Sequence, residues 1–163
     1  MKEIIDKISS YNLFNYLLPG ILFVIFAERF TSYSLVQENL IIGAFLYYFI
    51  GLIISRVGSL VIEPFLKNVS LLKFSKYSDF ISASRKDPKI EILSRENNMY
   101  RTIVSMLVLL FLLRGCNIIE VSYPSIGQYS PYVLGLLLLI LFIYAYRKQT
   151  EYITKRVNAS SKQ

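Results

Sequence analysis

Residues 39–63 read NLIIGAFLYYFIGLIISRVGSLVIE, and Pro64 follows. The first 17 of them, Asn39 to Ser55, are uncharged, close to what a helix needs to cross a ~30 Å hydrocarbon core. Continued to Glu63 at the helical rise, the helix would be about 37 Å long, which carries the Arg56 end to or beyond the headgroups. Pro64 is expected to stop it, because proline has no N–H and its ring clashes with the preceding turn. Along this helix Gly43, Tyr47, Gly51, Ser55, Ser59 and Glu63 recur every four residues, with Gly58 beside the stripe and Arg56 one position off it. Small residues at that spacing let helix backbones approach closely in lipid. Two readings stay open: packing inside one chain, or a subunit interface or aqueous path that tolerates hydroxyls and Arg56. Arg56 itself either snorkels to the headgroups or pairs with Glu63.

Three further apolar blocks accompany this one. Asn12 to Ala27 is uncharged but short and holds Pro19-Gly20, so residues 12–28 read as a first span, kinked or slightly short. It lacks a small-x-small cleavage pattern and reads as retained rather than as a signal. Ahead of it, Ile4, Ile5 and Ile8 share one helical face, which suits an interfacial helix over 1–11. Thr102 to Leu113 is too short to span alone; extended over 100–119, with Arg114 snorkelling outward, it becomes a third span. Ser130-Pro131 looks like a cap and first helical position, placing the fourth span at 131–146 before a basic tail, 147–163. Between spans two and three lies a polar helical segment, 64–99, in which Asp87-Pro88 is a strong helix start. The fold class is therefore an all-α membrane protein with four transmembrane helices.

Orientation follows from charge. With both ends and the 64–99 segment inside, Lys and Arg number 15 on the inner side and two, Arg29 and Arg114, outside, leaving Arg56 uncounted at the boundary. That asymmetry places both termini in the cytoplasm and, with an even number of spans, points to a bacterial inner membrane.

Composition excludes most chemistry. The chain is 54% hydrophobic and contains no histidine, so the commonest general base and the commonest metal ligand are both missing. Phosphate loops, dinucleotide fingerprints and zinc spacings are absent too, and neither an enzyme nor a cofactor is expected. The single cysteine, Cys116, reads as a small buried apolar residue. One polar constellation remains: Lys76, Arg85, Lys86 and Lys89 surround the helix start at Asp87-Pro88, and free N–H groups beside cations can hold a phosphate. The same basic residues also serve topology and contact with anionic lipid.

Four short spans, no catalytic residues and a basic helical segment from Lys73 to Arg101 between spans two and three give an organisation that resembles small multi-pass membrane effectors of bacterial antiphage systems, such as the Hailong and CBASS-type membrane proteins. The resemblance implies a homo-oligomeric pore or membrane-disrupting effector controlled by a nucleotide or oligonucleotide. A rival expectation is a non-conducting anchor or scaffold that recruits a soluble partner through residues 64–99.

Overall fold

The computed structural model describes residues 12–160; the interfacial helix expected at 1–11 lies outside the described residues. Among the described residues every regular element is helical. Helices α1 (Leu13–Phe30), α2 (Leu40–Asn68), α4 (Lys89–Ser122) and α6 (Ser130–Ser160) are each long and apolar enough to cross a membrane. Two short helices, α3 (Tyr77–Lys86) and α5 (Pro124–Gly127), complete the set. The chain is thus a multi-pass membrane protein by length and composition of its helices.

Helix α2 starts where the sequence places it, with the Asn39 side chain accepting hydrogen bonds from the N–H groups of Ile41 and Ile42 at 3.0 and 3.1 Å. Its end differs from expectation. Pro64 does not stop the helix, which runs to Asn68. A π turn at Gly58–Ile62 precedes the proline, and the Glu63 N–H closes it on the Gly58 carbonyl. In that i→i−5 register the next donor would serve the Ser59 carbonyl, and Pro64 has none to give. Lys148 of α6 donates to that carbonyl instead, at 2.5 Å, so the freed acceptor is satisfied by a side chain and the helix continues. Termination comes at Ser70, whose left-handed φ of 59° closes the helix with Leu71 N–H on the Leu66 carbonyl and Ser70 N–H on that of Lys67.

The first span uses the same device. A π turn at Leu13–Leu17 ends with the Leu18 N–H on the Leu13 carbonyl, and Pro19 follows. Pro19-Gly20 is therefore an adjustment of the helix and not a break in it. The glycine has a packing role: a Cβ on Gly20 would overlap the Tyr47 carbonyl oxygen, and one on Gly51 would overlap the carbonyl oxygen of Tyr16. Each helix thus presents its glycine to the other's tyrosine backbone, and α1 and α2 cross antiparallel in direct main-chain contact.

Helix α4 is continuous from the polar segment through the third span, as the sequence suggests, while α6 extends well beyond the expected 131–146 and keeps the tail helical to Ser160. The four spans are not equivalent. Burial covers 28% of the α1 and α4 windows and 22% of the α2 window, but 6% of the α6 window, so α1, α2 and α4 form the core and α6 lies against its side. Val24, Ala27, Ile54 and Met106 fill the centre of that core. Phe142 of α6 stacks on Phe49 of α2 with centroids 5.9 Å apart. Cys116 is exposed, contrary to expectation, because its neighbour Asn117 takes the inward position on that turn of α4.

Candidate functional site

Polar side chains are concentrated at the two ends of the core. From Arg101 to Glu120 α4 rises about 28 Å, close to a hydrocarbon thickness. At the Glu120 end, Asn117 donates to Ser32 at 2.6 Å and accepts from Arg114 at 3.3 Å, while the Tyr33 hydroxyl donates to the Glu120 carboxylate at 2.6 Å. Burial, together with that hydrogen bond and the carboxylate's charge, pushes the Tyr33 pKa up to about 12.

The opposite, basic end is richer. Asn15, in the first π turn, is 1% exposed, and its side chain accepts from Thr102 of α4 at 3.0 Å and donates to Ser55 of α2 at 3.4 Å. Three core helices are joined there through three short side chains. Thr102→Val, nearly the same shape without the donor, is expected to lower stability by about 1 kcal/mol, the scale of hydrogen bonds between membrane helices. Thermal unfolding in detergent reads the change, and an unaltered transition would show that the contact adds nothing.

About two turns further along α2, buried Glu63 accepts from Arg101 of α4 at 2.6 Å and from Lys67 of its own helix at 2.8 Å. Lys148 of α6 reaches the Ser59 hydroxyl at 2.8 Å as well as its carbonyl, and Arg56, Lys67 and Arg101 all lie close enough to repel its charge. Three cations from three helices, Lys67, Arg101 and Lys148, thus act on one carboxylate, with Arg56 beside Lys148. Gly58 lets α2 and α4 approach here, since a Cβ would meet Arg101 and Ser105 at 3.3 Å. Inside this crossing, the Arg101 Nε and the Ser105 hydroxyl are buried without a hydrogen-bond partner.

The stripe on α2 therefore divides by partner. Gly51 and Ser55 face α1, Ser59 meets α6, and Glu63 meets α4. Tyr47 turns to the other end, where its hydroxyl accepts from the Gln37 N–H at 3.0 Å. Arg56 is not the partner of Glu63; among the described residues it makes no hydrogen bond or ion pair, because Arg101 and Lys67 already fill the carboxylate. Of the expected phosphate contacts, Lys76 stands apart from the other three. Lys76, Arg85, Lys86 and Lys89 are all exposed, with Lys76 at the start of α3 and Arg85 and Lys86 in its last turn. The length of that helix puts Lys76 about 14 Å from Arg85. The N–H of Lys89 is capped by the Asp87 carboxylate at 2.9 Å, so the helix start already has its anion.

Asn15, Thr102, Arg101 and Lys148 escaped the sequence reading. A lone asparagine within an apolar span and the donor missing at Pro64 were the available signals. No family model, no curated protein and no solved structure matches this chain. Among the described residues no group of His, Cys, Asp or Glu is placed to hold a metal.

Proposed function

We propose that this chain is a homo-oligomeric, pore-type effector of a bacterial inner membrane, with both ends and the 64–99 segment in the cytoplasm, controlled there by an anionic nucleotide or oligonucleotide in antiphage defence. The observation that supports the reading is the cluster around Glu63. One carboxylate holds Arg101 and Lys67, and the excess positive charge beside it lies where α2, α4 and α6 meet. An anion that competes with Glu63 for these cations would loosen the three helices relative to one another. A ligand acts this way only if it binds the loosened state better, and about 1.4 kcal/mol of preference shifts the populations tenfold. Since Val24, Ala27, Ile54 and Met106 close the middle of a single chain, the conducting path belongs between copies.

The test is ion flux through the purified chain in liposomes, with nucleotides or short oligonucleotides on the side of the basic loop. Flux should rise with an anionic ligand, and Lys67→Gln, which removes one of the two cations bonded to Glu63 at a partly exposed position, should weaken that control while insertion stays intact. Silence under every ligand, with a soluble protein held by residues 64–99, would replace the pore by a scaffold. Exposed Leu71, Phe74, Ile92 and Leu93 in that segment favour this second reading.

A further inference from the structure

Between α2, α4 and α6 runs an apolar cleft of about 520 Å³, lined by residues that include Val57, Leu60, Leu109, Leu138, Leu141 and Tyr144. It follows from the shallow seating of α6, which touches α2 at Phe142 and Lys148 and leaves the space between them unfilled. From Leu134 to Tyr144 its wall is about 15 Å long, parallel to the span and comparable to a good part of an acyl chain.

The basic end of the cleft meets the cations described above. Lys148 lies one turn beyond Tyr144 on the same face of α6, half-buried, and two of its three ammonium protons go to Ser59. Arg56, next to Val57 in the lining, is half-buried, lies within electrostatic reach of Lys148, and makes no hydrogen bond or ion pair among the described residues. Glu63, the sole carboxylate acting on Lys148 among the described residues, is bonded to Arg101 and Lys67. Two cations with unused donors thus stand at headgroup depth above an apolar slot. An amphiphile with an anionic head and a hydrocarbon chain complements both parts at once.

We infer that the α2–α4–α6 cleft is a binding site for an anionic phospholipid, one acyl chain lying along Leu60, Leu138 and Leu141 and the phosphate resting on Arg56 and Lys148. The site does not depend on whether the chain conducts. It gives α6 a second connection to the core, made through lipid.

Native mass spectrometry of the full chain in detergent, titrated with phosphatidylglycerol, phosphatidylcholine or inorganic phosphate, tests it. Phosphatidylglycerol should be retained at one per chain in preference to phosphatidylcholine, and inorganic phosphate at equal concentration should not displace it. Arg56→Gln should weaken retention of phosphatidylglycerol about fivefold, the worth of one cation at an anionic membrane surface. Lys76→Gln with Lys86→Gln, which removes two exposed cations outside the cleft lining, should leave retention unchanged. Leu138→Trp, which fills the slot, should reduce retention of both lipids. Equal retention of the two lipids, equal losses in the Arg56 and Lys76/Lys86 variants, displacement by phosphate alone, or indifference to a folded Leu138→Trp chain would each overturn the assignment. Should Leu138→Trp fail to fold, the comparison of Arg56→Gln with the double variant still decides.

Discussion

Replacing Gly51 by alanine is expected to lower the stability of the bundle by about 3 kcal/mol, although only one methyl group is added. That methyl would fall on the Tyr16 carbonyl oxygen, a backbone atom that cannot rotate away, so α1 and α2 must separate along their whole crossing. Gly20→Ala should behave alike, because it strikes the Tyr47 carbonyl at the same crossing. Gly135→Ala is the matched control: nothing lies within 4 Å of its added Cβ, and helix propensity alone should make it neutral or more stable by up to about 1 kcal/mol. Denaturant or thermal unfolding in detergent distinguishes the three variants. A Gly51→Ala chain as stable as the unaltered one would mean that the two helices do not cross at these glycines. Gly51→Leu should abolish the packing within each chain, so any loss of assembly it causes would follow from loss of the fold and would not locate a subunit interface.

Glu63→Gln should have a comparable effect for an electrostatic reason. It leaves Arg101, Lys67, Lys148 and Arg56 near one another with no carboxylate among them, and removing one member of a buried ion pair costs about 3 kcal/mol or more. The contributions of the two bonded cations should be unequal. The Lys67 side chain is 42% exposed, so solvent screens its bond to Glu63, and Lys67→Ala should cost less than about 1 kcal/mol. Arg101 is 20% exposed and links two helices, so most of the loss should trace to it. A double variant, Glu63→Gln with Arg101→Met, should recover much of the stability by removing the stranded cation. If the double variant is as unstable as the sum of its parts, the coupling between the two residues is absent and the cluster is not held by this pair.

Helix number and span identity were legible in the sequence because lipid imposes a simple condition: twenty or so residues must bury every backbone polar group without help from water. The uncharged runs at 39–55 and 131–146 satisfy it plainly, and the Asp87-Pro88 start and unbroken passage of α4 into the membrane are local features that a sequence displays. Pro64 misled for an equally physical reason. Proline removes a donor, and whether that ends a helix depends on whether some other donor reaches the orphaned carbonyl. The donor is Lys148, 89 positions from Ser59 in the chain.

The candidate site was only half visible on the same grounds. Gly51, Ser55, Ser59 and Glu63 announce a face of α2 through their spacing, since helical periodicity is a property of one segment. Which element each of them meets is a property of several. Ser55 finds Asn15 and Thr102, Glu63 finds Arg101, and the pairing of Glu63 with Arg56, attractive from sequence distance, loses to a residue on another helix. By itself the sequence determined that this chain is helical, apolar in four stretches and basic in the segment between the second and third of them and in the tail, because hydropathy and charge act residue by residue. Only the tertiary structure decided that three helices form the core while the fourth lies beside it, and that cations from three helices gather on one carboxylate, because close approach between distant segments depends on where glycines permit contact and where a proline leaves an acceptor to be filled.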